Sequence, residues 1–321
     1  MYLLPKPKKV TEKEGCYEIN YQTTIVLSGQ IKVNGITYAA ILQRGILEGT
    51  GIKASYIRGK AENGDISLDL SEELNEQEYR LIVKKTGVSV VGGDGAGVLY
   101  GVQTLCQMFV QYGGVLPCVE ISDEPDMKNR GYFLDETRGR VLTMPYLKKV
   151  VDRLSRYKLN QFQLYVEHTY LFRNLSEMWR DETPLTAEDI MELDDYCRER
   201  HIELIPSLAS FGHLYMLLST KSYGHLCELE DSWREPFSFW DRMRHHTVNV
   251  TDEETMPLIK GMIDEYMALF TSDKFNICAD ETFDLGKGKS KEAAERDGVH
   301  RIYINYIKEL WEYLVENKKQ P

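Results

Sequence analysis

The stretch Gly131-Tyr132-Phe133-Leu134-Asp135-Glu136-Thr137-Arg138 decides how the larger part of this chain is built: a short apolar run ends abruptly in four polar residues, three of them charged. Such a run predicts a buried strand, and the residues that follow, 144–157, carry apolar side chains at helical spacing. The rhythm then repeats. Strands are predicted at 161–166, 203–208 and 275–278, and helices at 186–200, 253–269 and 292–316. Strands alternating with helices of this length predict parallel βαβ units. Four units are half of an eight-stranded β/α barrel, which takes about 250 residues. The expectation is a TIM-type β/α barrel of which this chain holds the first four strand–helix units. Either the second half lies beyond Pro321, or the four units form an open or self-associating half-barrel. The first is favoured, because an open half-barrel would expose two strand edges and an unclosed apolar interior.

Upstream, Ser122-Asp123-Glu124-Pro125-Asp126 is polar and turn-forming and marks a domain boundary. Before it the pattern is different: short β-type runs at 24–27, 66–70, 78–83 and 88–91, a helix at 38–47, and a second helix at 96–110 entered from Gly92-Gly93-Asp94-Gly95. The fold class is therefore α/β, with an N-terminal α/β domain at 1–124 and the barrel domain at 125–321. A length of 321 residues is enough for two hydrophobic cores.

Lys and Arg total 39 against 50 Asp and Glu, a formal charge of -11. That balance repels nucleic acid and anionic lipid, so neither is an expected partner. The six cysteines form no C-x-x-C pair, and buried free thiols are expected rather than disulfides or zinc. The start, Met1-Tyr2-Leu3-Leu4-Pro5-Lys6-Pro7, has no basic region followed by a long apolar core, which reads as cytoplasmic. No metal or cofactor is called for. His245 and His246 are adjacent and do not share a helix face as paired ligands would. Gly286-Lys287-Gly288-Lys289-Ser290 ends like a phosphate-binding loop, but Phe283 stands where that loop needs its first glycine.

A β/α barrel carries its catalytic groups at the C-terminal ends of the strands. Here the predicted strand ends are followed by Arg138, by Glu167-His168, by Ser210-Phe211-Gly212-His213 and by Asp280-Glu281-Thr282. Each alone has an ordinary explanation. Arg138 pairs with Asp135, His213 is satisfied by a backbone carbonyl, and Asp280-Glu281 caps a helix. Four consecutive strand ends of this kind point instead to one site.

On these residues the chain resembles glycoside hydrolase family 20, the β-N-acetylhexosaminidases. The resemblance runs through Gly97-Val98-Leu99-Tyr100-Gly101-Val102-Gln103-Thr104-Leu105 in the N-terminal domain, then Arg130-Gly131 to Arg138, Tyr157-Lys158-Leu159-Asn160, Phe211-Gly212-His213 and Ala279-Asp280-Glu281. It implies removal of terminal β-linked N-acetylhexosamine, GlcNAc or GalNAc, from an oligosaccharide or glycoconjugate. It also implies retention through an oxazoline intermediate in which the substrate's own acetamide is the nucleophile. Under that resemblance Asp280 orients the acetamide, Glu281 protonates the leaving oxygen and later activates water, Arg138 binds sugar hydroxyls, and His213 supports the acid or lines the subsite. The sequence departs from the family after the second strand, where Tyr165-Val166-Glu167-His168 stands in place of a His-x-x-Asp pattern; Glu167 or His168 replaces the usual acid. The aromatic wall of the acetamide pocket would lie beyond Pro321. A different β/α-barrel glycosidase, or a barrel that binds carbohydrate without turnover, are the alternatives.

Overall fold

The β-type runs of the first part of the chain assemble into one mixed seven-stranded sheet in the computed structural model, which describes residues 1–230 and 246–321. The chain divides into two compact units. The first comprises Met1–Gly131, Lys149–Asn160 and Tyr196–Ile202; the second comprises Tyr132–Lys148, Gln161–Asp195 and Glu203–Pro321.

In the first unit the strands are β1 (Lys9–Glu18), β2 (Thr24–Leu27), β3 (Ser55–Arg58), β4 (Ile66–Leu70), β5 (Tyr79–Lys84), β6 (Gly87–Gly92) and β7 (Val115–Asp123), in the order β1-β7-β5-β6-β4-β2-β3. Helices α1 (Gly35–Thr50) and α2 (Gly95–Tyr112) belong to it, with residues 149–156 and 196–198 of two later helices. Strands β1 and β3, at the two edges, are exposed along almost all their length. Edge strands bury little, so the sequence of β1 carries no apolar alternation, and neither was anticipated. The Gly-rich turn does what its composition implies. Asp94 caps α2 by accepting from the Gly97 N–H at 2.7 Å. Gly97 itself lies so close to β5 that a Cβ there would sit 2.1 Å from the Glu78 carbonyl oxygen.

Every residue of α2 from Ala96 to Phe109 is buried, polar ones included. Gln103 is therefore bonded, donating to Ser155 Oγ at 2.9 Å. A buried cation belongs to the same unit. Lys158 donates to Tyr79 Oη at 2.9 Å and to Asp123 at 3.1 Å, and burial lowers its pKa against the pull of that carboxylate. Arg130 donates to Gln77 at 2.9 Å and to Tyr100 Oη at 2.8 Å.

The second unit contains β8 (Gly131–Asp135), β9 (Gln161–Val166) and β10 (Glu203–Leu208), hydrogen-bonded in the order β10-β9-β8. β9 and β10 are parallel, in register from Gln161↔Glu203 to Val166↔Leu208. The helices that follow in chain order are α3 (Met144–Arg156), α4 (Ser176–Trp179), α5 (Ala187–Arg198), α6 (Tyr215–Leu218), α7 (Thr255–Met267), α8 (Lys291–Asp297) and α9 (Val299–Glu316). A parallel sheet with intervening helices is consistent with a segment of a barrel.

Three expectations are corrected here. The first strand is not buried: β8 is the edge of its sheet, and Tyr132 and Phe133 are 45% and 49% exposed. The fourth strand, expected at 275–278, is reduced to a single parallel bridge between Asn276 and Ser207. Asn276 exchanges two backbone bonds with β10, and then Cys278 turns into the left-handed region at φ 44°, which no strand can continue through. The last helix is two, α8 and α9, broken at Gly298, whose φ of 88° is outside helical space.

The thiols also differ from expectation in part. All six are free; Cys106, Cys118, Cys197 and Cys227 are buried, but Cys16 on the edge strand is exposed and Cys278 half-buried. The phosphate-loop look-alike has an occupant of its own. The carboxylate Oε1 of Glu228 accepts from the N–H groups of Gly288 and Ser290 and from Ser290 Oγ, filling with an internal anion the place a phosphate would take. Among the described residues no helix is long and apolar enough to cross a membrane.

Candidate active site

Strand direction collects the polar residues. The segments that leave β8, β9 and β10 at their C-terminal ends, with the turn after Asn276, bring Arg138, Glu167, His213, Asp280 and Glu281 within one charge cluster. The imidazole of His213 is its centre. Its Nε2 lies 3.2 Å from Glu281 Oε2 and 3.9 Å from Asp280 Oδ2, and its Nδ1 lies 3.7 Å from Glu167 Oε1. The guanidinium Nε of Arg138 is 2.7 Å from Asp135 and 3.7 Å from the same Glu167 oxygen. Asp135 also accepts from the backbone N–H groups of Thr137 and Arg138, so this one carboxylate fixes both ends of the arginine. The ordinary Arg138–Asp135 pair thus exists, and it is part of the site.

The alternative of a core histidine bonded to a carbonyl fails for His213, whose ring faces carboxylates on both sides. Nor do Asp280 and Glu281 cap a helix, since the next one begins at Lys291. Of the two residues after β9, Glu167 faces the cluster. It is 2% exposed and accepts from Tyr165 Oη at 3.0 Å. His168 points elsewhere, its Nε2 being 3.8 Å from Glu182 and its Nδ1 4.0 Å from Glu167.

Two participants were not legible as such. Tyr165, whose ring carries the Arg138 guanidinium at 5.4 Å, stands two residues before Glu167 and therefore points to the same side of the strand. That alternation was the available signal. His246 stacks on His213 at 4.8 Å between centroids, with planes 9° apart, and its Nδ1 accepts from the His213 N–H at 2.6 Å. No local pattern places it there, because 33 residues separate the two. Its neighbour His245 lies outside the described residues.

The backbone bears the cost of this arrangement. His213, Cys278 and Glu281 have φ values of 58°, 44° and 52°. Non-glycine residues in the left-handed region are costly and persist only where surroundings over-determine them. Those surroundings are visible. Tyr303 Oη of α9 donates to Ala279 O at 3.1 Å, Tyr306 Oη donates to Ser210 O at 2.7 Å, and Ser210 Oγ donates to Ile277 O at 2.6 Å. The ring of Phe211 packs between Tyr303 and Tyr306 at 5.5 and 4.3 Å.

Gly212 completes the fit, since a Cβ there would lie 2.4 Å from Asp280 O and 3.4 Å from Glu281 O. Gly212→Ala is accordingly expected to push the Asp280-Glu281 backbone away while leaving the fold intact. Misplacement of reacting groups by about 1 Å costs roughly 100-fold in rate. Kinetics with an aryl substrate, alongside a thermal melt, would check it, and unchanged kcat in a folded variant would refute it.

A cleft of about 530 Å³ opens beside the cluster, lined by Phe133, Arg138, Tyr165, Asn276, Cys278 and Asp280 among others. Of the two dyad carboxylates, Asp280 is 69% exposed and Glu281 40%. Burial pushes the Cys278 thiol up to about 12, with Asp280 adding to it, so this cysteine stays protonated and is no nucleophile.

Neighbouring carboxylates stand here beside an imidazole and a guanidinium, in segments that follow β8, β9, β10 and the Asn276 bridge. The chain belongs to glycosyl hydrolase family 20: residues 128–321 match the family's catalytic domain and residues 1–124 its domain 2. It is 26% identical over 307 residues to a beta-hexosaminidase of Porphyromonas gingivalis, covering 87% of this chain and 38% of that protein. It is 24% identical over 278 residues to a lacto-N-biosidase of Bifidobacterium bifidum, covering 84% of this chain and 23% of that one. The chain thus spans less than half the length of these relatives. Among solved structures its fold is like that of a β-N-acetylhexosaminidase from Bacteroides fragilis, with a TM-score of 0.79 at 20% identity over 99% of this chain and 65% of that one. It is also like a Flavobacterium johnsoniae chitobiase, with a TM-score of 0.82 at 21% identity over 99% of this chain and 51% of that one.

Proposed function

We propose that this chain carries the acid–base machinery of a retaining β-N-acetylhexosaminidase that uses the substrate's acetamide as its nucleophile. The observation that supports this best is the His213 imidazole set between Glu281 and the buried Glu167, with Asp280 on the same edge. In this reading Glu281 protonates the glycosidic oxygen and then takes a proton from water. Asp280, open to the cleft, holds the acetamide N–H and stabilises the positive charge that develops as the ring closes. His213 is a positioning residue that aims the Glu281 carboxyl, held in turn by Glu167 and by the ring of His246. Arg138 binds hydroxyls of the terminal sugar with its geometry set by Asp135. The substrate is an oligosaccharide or glycoconjugate ending in β-linked N-acetylhexosamine.

The test is to compare 4-nitrophenyl N-acetyl-β-glucosaminide and N-acetyl-β-galactosaminide with the β-glucoside that lacks the acetamide. Intramolecular attack is worth an effective molarity of about 10⁵ M, so a preference of at least about 10⁴ is expected for the N-acetyl substrates. Proton NMR of the first product should give the β anomer. Equal hydrolysis of the glucoside, or release of the α anomer, would refute the reading. A sugar-binding barrel without turnover is the second reading, favoured by the 69% exposure of Asp280, and it predicts saturable binding with no product.

A further inference from the structure

Glu136 is a buried carboxylate that the mechanism does not use. It follows β8 and is 0% exposed. Its backbone N–H donates to Tyr165 O at 3.0 Å, which anchors it to β9. One side-chain oxygen, Oε2, accepts from the Leu142 N–H at 2.7 Å, and the other, Oε1, is buried without a hydrogen-bond partner. The bond to Leu142 closes a loop of five residues, 137–141, and Arg138 is on that loop. Two adjacent carboxylates thus hold it from opposite ends. Asp135 grips Thr137 and Arg138 at its start, and Glu136 fastens its return. Gly139, at φ 78°, makes the turn between them.

We propose that Glu136 is a positioning residue for Arg138, a latch that closes the 137–142 loop while its carboxyl is neutral and releases it on ionisation. This rests on the reading that Arg138 binds the terminal sugar. The titratable groups beside Glu136 make no hydrogen bond to its carboxyl. Asp135 on its own strand is another acid, and Tyr266 of α7 presents a buried hydroxyl that has no partner and that burial keeps protonated. A buried anion with one oxygen unsatisfied is costly, whereas the same anion in water is not.

Burial, with Asp135 adding and the Leu142 bond opposing, pushes the carboxyl up from 4.5 to about 7. Since the closed-loop value is raised, the stabilisation is fully present below 4.5 and is lost as pH rises through about 7. The closed fraction then falls, and the apparent affinity for the sugar falls with it.

The apparent KM for an aryl N-acetylhexosaminide is expected to rise roughly five- to tenfold between about pH 6 and 8.5, with the loss in KM rather than in kcat. In Glu136→Gln the amide oxygen accepts the Leu142 N–H but cannot ionise, so KM should stay flat over that range. Amide hydrogen exchange of residues 137–142 in the same two proteins, corrected for the intrinsic rate, reads the latch without turnover. Protection should decline with pH in the wild type and not in the variant. The same alkaline rise in KM, or the same loss of protection, in Glu136→Gln would overturn the proposal. A wild type that hydrolyses no N-acetylhexosaminide sinks the proposed function alone, and the exchange comparison still supports or overturns the latch.

Discussion

Glu281→Gln is expected to lower the rate on substrates with an alkoxide leaving group, such as a chitobiose unit, by about 10³-fold, the usual worth of a well-placed general acid. Glu281 Oε2 lies 3.2 Å from His213 Nε2, and its backbone is in the left-handed region at φ 52°. Glutamine keeps the size and the contact with His213 but cannot deliver a proton to the departing oxygen. A 4-nitrophenolate departs without help, so with that substrate the first step should be nearly intact and the loss should move to the step in which water is activated. Pre-steady-state kinetics with the two leaving groups separates these. An equal loss with both would mean that Glu281 acts by electrostatics or packing, not as the acid.

The second large effect is expected at Asp280, where Asn should reduce kcat/KM for N-acetyl substrates by roughly 10² to 10³, as for removal of one preorganised group at a developing charge. Asn is isosteric, and at 69% exposure the side chain carries little of the fold, so stability should change by less than about 1 kcal/mol. Under the proposed mechanism, what is lost is the carboxylate opposite the forming oxazolinium ion. The discriminating measurement is the affinity of an inhibitor that mimics the oxazoline. It should fall in step with kcat/KM, and unchanged affinity would remove Asp280 from this role.

Both predictions concern residues that their sequence position made visible. The polar endings after three apolar runs named Arg138, Glu167 and His213, and the Asp280-Glu281 pair stood after a fourth run. That run is no strand beyond Asn276, and the reason is local to the site. Cys278 and Glu281 are turned into the left-handed region to present the carboxylates, which breaks the ladder that the apolar pattern predicts. A strand signal and a tight turn compete for the same residues, and backbone contacts from Ser210, Tyr303 and Gly212 accompany the turn.

The amino-acid sequence by itself determined the α/β class, the alternation of strands and helices after residue 131, and the identity of the polar residues at the strand ends. Those are properties of hydrophobic periodicity and of residue type, which are written locally. Tertiary structure alone decided between Glu167 and His168, because adjacent residues leaving a strand point in different directions and only the position of His213 shows which one faces the site. It alone placed His246 against His213 across 33 residues of chain, and it alone separated the two acids at the end of β8. Asp135 and Glu136 read identically as carboxylates in a polar turn. One is bonded to the arginine and the other is sealed from water, because burial and hydrogen-bond partners belong to the packed chain and not to the residue.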